Sequence, residues 1–165
     1  MNVQQLFAEH YEALFRYLVR LTGDADAAAD ATQDAFVRLI ERPPQDGQIR
    51  AWLFRVATNL VRDESRVRRR RLEILSESVD RAPIGDQPLA PDTALEAKER
   101  SLLVREALAR LSLRERTVLL MREQGFSHQE IAETVETTTK SVGSMIARAL
   151  QKLSVELAPF PEANE

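Results

Sequence analysis

The chain contains no cysteine, and His10 and His128 are the two histidines among its 165 residues. Without thiols there is no disulfide framework, no thiolate zinc site and no cysteine nucleophile. Two imidazoles so far apart in sequence offer neither a His-rich metal centre nor a catalytic triad. Glycine is scarce, at five residues, and aromatics make up 5%, which speaks against an all-β chain. No apolar run approaches the ~20 residues that span a bilayer, and the opening MNVQQLFAEHYEALF lacks the charged-then-apolar order of a secretory signal. These absences predict a cytoplasmic chain without membrane insertion. They also predict a chain with no catalytic residue, no metal and no cofactor, so a binding function outranks an enzyme.

What is present is ordinary in amount and uneven in placement. Hydrophobic residues at 44% and charged residues at 30% are the proportions of a folded globular protein. The net charge of −3 hides two opposed segments: residues 62 to 71 hold six arginines against two acids, and residues 72 to 99 hold seven acids against two bases. Arginine outnumbers lysine 20 to 3, and the planar guanidinium suits bidentate phosphate contacts. A dense arginine cluster on or just beyond a helix is the footprint of a surface that tracks a phosphate backbone. A solvated charge run at a helix end is the competing reading.

Apolar spacing of three and four residues predicts helices throughout and no strand. The first runs over residues 3 to 21 on Leu6, Phe7, Tyr11, Leu14, Phe15, Leu18 and Val19, and stops at Thr22-Gly23-Asp24. The second uses Ala27, Ala31, Ala35, Phe36, Leu39 and Ile40 before Pro43-Pro44 forbid its continuation. The third starts near Ile49 with Trp52, Leu53, Val56, Ala57, Leu60 and Val61 on one side, and leads into the arginines. Trp52 itself reads either as core or as a platform for stacking a base. Prolines and acids then suggest a flexible linker. The expected organisation is all-α: a first domain over 1–71, an acidic linker over 72–98, a second domain over 99–158 and a tail over 159–165. Within the second domain, residues 127 to 135, a short turn and residues 138 to 153 have the layout of a helix-turn-helix. The turn by itself leaves a plain helical hairpin open.

Three stretches, taken in order, resemble bacterial sigma factors of the extracytoplasmic-function (ECF) kind, within the sigma-70 family. DATQDAFVRL over residues 30 to 39 is similar to their D-x-x-Q-[ED]-x-F-x-R-L stretch. AWLFRVATNL over 51 to 60, followed by Asp63 and the arginines, resembles A-W-L-x-x-I-A-x-N-x-x-x-D. LARL with RERTVLL over 114 to 120 and GFSHQEIAE over 125 to 133 resembles the second DNA-binding domain of the same proteins. The resemblance implies a transcription initiation factor that binds core RNA polymerase, recognises promoter DNA and is held in check by an anti-sigma factor. On its residues it implies core binding, at the clamp of the largest polymerase subunit, by Asp30, Gln33, Asp34, Val37, Arg38 and Glu41, with Phe36, Leu39 and Ile40 turned to the core. It implies minus-ten contacts from Arg50, Asn59, Arg62, Arg66, Arg68, Arg69 and Arg70. Minus-thirty-five contacts fall to Ser127, Thr138, Thr139, Lys140, Ser141, Ser144 and Arg148, with apolar residues from 111 to 119 meeting the polymerase flap. The linker acids Glu73, Glu77, Asp80, Asp86 and Asp92 would lie along the RNA path of the polymerase.

Three positions depart from the family pattern. Glu136 stands where the turn usually has glycine, and Gly143 and Met145 stand where the recognition helix often carries a base. Fewer positive side chains imply a shallower dependence on salt. A stand-alone helix-turn-helix regulator, or an interaction protein without promoter activity, would use the same second domain differently.

Overall fold

The computed structural model describes residues 1–75 and 95–157. They form seven α-helices and, among the described residues, no strand. The chain divides into two compact units, Met1–Gln87 and Pro88–Glu165. The first contains α1 (Val3–Thr22), α2 (Ala25–Glu41) and α3 (Ile49–Leu75); the second contains α4 (Leu95–Ala109), α5 (Leu113–Glu123), α6 (His128–Val135) and α7 (Thr139–Leu157). The expected linker is therefore helical at both of its ends. LEIL at 72 to 75 continues α3 because no proline or glycine interrupts the chain before Pro83. Residues 76–94, with Glu77, Asp80, Asp86 and Asp92, and the expected tail lie outside the described residues.

In the first unit, the caps of two helices are consecutive residues. Gly23 takes the left-handed conformation at φ 70° and returns its N–H to the Val19 carbonyl, closing α1. Asp24 then accepts from the Asp26 and Ala27 N–H groups and opens α2. Leu14, Leu18 and Leu21 of α1 pack against Ala28, Ala31, Ala35 and Leu39 of α2 and Leu53, Phe54, Ala57 and Val61 of α3, all buried. Inside this core the Thr58 hydroxyl lies 2.6 Å from the Phe54 carbonyl and 2.8 Å from the Tyr17 hydroxyl. Its single proton goes to the carbonyl, so Tyr17 is the donor of the second bond.

Two sequence expectations about this core are corrected. Ile40 was placed with Phe36 and Leu39 against the core, yet it is 54% exposed, and Phe7 is 44% exposed. Ile40 lies about 100° around the helix from Leu39, off the narrow alanine stripe that fixes the buried side of α2. On α3 the buried stripe is Leu53, Phe54, Ala57, Thr58 and Val61, while Trp52, Val56 and Leu60 are half-buried. The Tyr17–Phe54 ring contact, 5.0 Å between centroids, and the Tyr17–Thr58 bond turn that side inward.

In the second unit, reciprocal caps open two helices. Ser112 and Glu115 cap α5, and Ser127 and Glu130 cap α6. Leu108, Leu111, Val118, Met121, Phe126, Ile131, Val135, Val142 and Ile146 are buried. Leu111, Val118 and Leu119 thus serve the core and are not a free face for the polymerase flap. Two ion pairs of opposite sense fasten α7 to the α4–α5 corner: Arg110 to Glu156 at 2.8 Å and Lys152 to Glu115 at 2.5 Å. Burial alone would raise the Glu115 carboxyl. Hydrogen bonds from Lys152 and the Ser112 N–H, with the charges of Lys152 and Arg148, outweigh it and hold the group below its ordinary value of 4.5. Next to it, Arg116 is buried, its Nε and Nη1 have no hydrogen-bond partner among the described residues, and burial lowers its guanidinium to about 10.

Two stability predictions follow from this corner. A depressed carboxyl contributes stability above its unfolded pKa and loses that contribution as pH falls through the folded value. Glu115→Gln should therefore lower stability near neutral pH by on the order of 1 kcal/mol, seen as a lower melting temperature, and flatten the acid side of the stability curve followed by circular dichroism. Arg116→Met removes an uncompensated buried charge while keeping the volume, and should leave the melting temperature unchanged or raise it.

Candidate nucleic-acid interface

The side of α3 opposite its buried stripe carries Asn59, Arg62, Arg66 and Arg70, spaced three, four and four residues apart. That spacing keeps them on one strip of the helix. Arg66 and Arg70 are exposed and Arg62 is partly so. The amide oxygen of Asn59 is buried and accepts no hydrogen bond among the described residues. Arg69 is exposed at the edge of the strip. Two expected members lie elsewhere. Arg68 is on the opposite side of the helix and pairs with Glu64 at 3.8 Å, and Arg50 has its guanidinium 5.4 Å from the centre of the Phe54 ring. Arginines that ring a helix cannot all meet one backbone, and helix geometry selects those aligned with Asn59.

On α2, Asp30, Gln33, Asp34, Val37, Arg38 and Glu41 are all exposed and share the side away from the alanine stripe. The apolar rim of this side was not foreseen. Val37 is 51% exposed, Ile40 borders it, and Phe7 stacks on Tyr11 at 4.4 Å and tilts against Phe36 at 5.1 Å. The readable signal was that Ile40 falls off the spacing of Ala28, Ala31, Ala35 and Leu39.

In the second unit, α6, a three-residue turn and α7 form the helix-turn-helix. The turn depends on Glu136, which takes a left-handed φ of 56° as the cap of α6. Thr138 caps α7, accepting the Ser141 N–H at 3.2 Å and bonding the Ser141 hydroxyl at 2.7 Å. Ser144 donates to the Ser141 carbonyl at 3.0 Å, and the Ser127 oxygen accepts the Glu130 N–H. Four of the seven expected minus-thirty-five residues thus also hold up the local backbone. Thr139, Lys140 and Arg148 are exposed on α7, as are Gln151, one turn beyond Arg148, and His128 at the start of α6, neither of them expected. Among the described residues no group of His, Asp and Glu could hold a metal ion, and no helix is long and apolar enough to cross a membrane.

Residues 6–71 match the family model for sigma-70 region 2, and residues 101–153 match that for sigma-70, region 4. The chain belongs to the sigma-70 family. Among its relatives, the ECF RNA polymerase sigma factor SigL of Mycobacterium tuberculosis is 34% identical over 160 residues, spanning 94% of this chain and 88% of that protein. The ECF RNA polymerase sigma factor SigE of Mycolicibacterium smegmatis is 32% identical over 158 residues, spanning 93% of this chain and 61% of that one. In fold, this sigma-70 family chain is similar to the sigma factor RpoE of Bartonella quintana, solved in complex with the anti-sigma factor NepR. The TM-score is 0.75 at 23% identity, over 94% of this chain and 96% of that one. Region 2 thus holds the α2 and α3 faces, and region 4 holds the helix-turn-helix.

Two substitutions test the departures in region 4. A β-carbon at Gly143 meets one neighbouring atom, at an ordinary 3.8 Å, so Gly143→Ala should stabilise α7 by up to about 1 kcal/mol. Glu136→Gly removes the left-handed strain of a non-glycine residue and should also stabilise the unit, by about 1 kcal/mol, and so raise the melting temperature. Thermal melts of the two variants check both.

Proposed function

We infer that this chain is an ECF-type sigma factor: it binds core RNA polymerase, recognises promoter DNA and starts transcription initiation. The observation that carries this reading is the presence, in one chain, of region 2 and region 4 units. Covalent chemistry stays with the polymerase, and the chain works in the cytoplasm on the DNA of the nucleoid. A relative solved with an anti-sigma factor supports the same kind of control here.

The division of labour follows from the faces. Asp30, Gln33, Asp34, Val37, Arg38 and Glu41 dock on the polymerase clamp, and Val37, Ile40 and Phe7 supply the apolar area that a charged face lacks. Asn59, Arg62, Arg66 and Arg70, flanked by Arg69, hold the minus-ten element. Melting that element costs ~1.4 kcal/mol per stacked step, which phosphate contacts and a captured base offset. Thr139, Lys140, Ser144 and Arg148 face the minus-thirty-five element in the major groove. The flap of the second large subunit meets exposed apolar residues of region 4, Leu102 of α4 among them, in place of the buried Leu111, Val118 and Leu119.

Run-off transcription with purified bacterial core polymerase on a promoter library tests this assignment. Wild type should initiate at defined sites. Asp34→Arg and Ile40→Glu should each weaken core binding at least tenfold with little change in melting temperature, because both positions are exposed. Changing Arg62, Arg66 and Arg70 together to Ala should preserve core binding and abolish opening, read by permanganate reactivity at the start site. Arg68→Ala, off the strip, should open promoters within about twofold of wild type, the scatter of an exposed ion pair. Sequence-specific duplex binding by wild type without any core enzyme would instead favour a stand-alone regulator.

A further inference from the structure

Gly143 lies in the first half of α7, between Lys140 and Ser144 on the side that the promoter-binding reading turns toward DNA. Among the described residues, a β-carbon built there would have one neighbour within 4 Å, His128 Cε1 at 3.8 Å. The imidazole of the first residue of α6 therefore rests over the glycine, where a longer side chain at 143 would stand. His128 is exposed, and its side chain makes no hydrogen bond or ion pair among the described residues. Its ring nitrogens are open to a ligand.

The neighbouring part of α7 suits an anion. From Thr139 to Leu150, α7 carries Lys140 and Arg148 and no acidic residue, and on α6 itself Glu130 is taken up by the Ser127 cap while Glu133 lies on another side of the helix. In a helix-turn-helix the first helix crosses the phosphate backbone while the second enters the groove, and at least half of protein–DNA hydrogen bonds go to phosphate and sugar. A donor on the first residue of α6, leaning over the recognition helix, stands where the backbone passes.

We propose that His128 is a DNA contact of region 4, donating an imidazole N–H to a backbone phosphate of the upstream promoter element. Gly143 is the positioning residue that leaves the ring its place. This rests on the sigma-factor reading, and it accounts for two departures of this chain with one device: a recognition helix short of basic residues is supplemented from the helix before it. It also assigns Gly143 a role in addition to its cost to the helix.

The test uses holoenzyme, assembled from core polymerase and the full chain, on a duplex that wild-type holoenzyme selects from a randomised library. Affinity is read by fluorescence anisotropy. His128→Ala should weaken binding about fivefold, the size of one net hydrogen bond, and His128→Gln, which keeps an N–H donor, should recover most of that loss. Gly143→Leu should lose about as much as His128→Ala by displacing the ring, and the double variant should lose no more than either single one. On a duplex truncated before the upstream element, all variants should bind alike. Wild-type affinity for His128→Ala, a loss that persists on the truncated duplex, or losses that add in the double variant would each overturn the proposal. If wild-type holoenzyme selects no duplex, the sigma-factor reading itself falls and takes this inference with it, a result visible before any variant is made.

Discussion

A helix that serves a core on one side and nucleic acid on the other works only if its rotation about its own axis is fixed. In α3 the fixing interaction is the buried chain of bonds from the Tyr17 hydroxyl through the Thr58 hydroxyl to the Phe54 carbonyl, at 2.8 Å and 2.6 Å. Each residue turns the helix by about 100°, so slipping the buried stripe by one position would swing the whole strip from Asn59 to Arg70 by that angle. A polar bond gives this orientation because it has one geometry, whereas apolar packing among alanine and leucine tolerates several. Spacing aligns Asn59, Arg62, Arg66 and Arg70 with one another, and the hydroxyl pair on the far side of the helix fixes which way they face.

The same economy of side chains operates in region 4. Thr138, Ser141, Ser144 and Ser127 spend hydroxyl groups on caps and turns, and the ion pairs at the other end of α7 fasten it to the α4–α5 corner. The helix is therefore anchored at both ends by polar side chains. Lys140 and Arg148 are its exposed basic residues besides the paired Lys152.

The apolar residues of the two units are disposed differently. On region 2 the charged face of α2 has an apolar margin, formed because small alanines bring α1 and α2 together and leave Ile40 outside the seam. On region 4 the apolar second half of α5, Val118 to Met121, turns inward. Its Ser112–Glu115 cap and the Thr117 hydroxyl, which bonds the Leu113 carbonyl at 2.8 Å, satisfy its first turn locally, so the apolar side chains are free to build the core.

The helices, their caps, the two-unit order and the family were legible in the sequence, because helix periodicity, Gly23 and Asp24 at a junction, and S-x-x-E boxes are local signals that need no partner. The spacing of Asp30 to Glu41 likewise marked a polar face. What the sequence could not decide was which of two adjacent apolar positions is buried: Ile40 or Leu39, Trp52 or Leu53. Periodicity gives a stripe about as wide as its own uncertainty, and only the neighbouring helix narrows it. Nor could it show which way the strip of Asn59, Arg62, Arg66 and Arg70 faces relative to the core, or that His128 stands over Gly143. Those depend on contacts between side chains distant in sequence, and they exist only once the core has fixed how each helix is rotated.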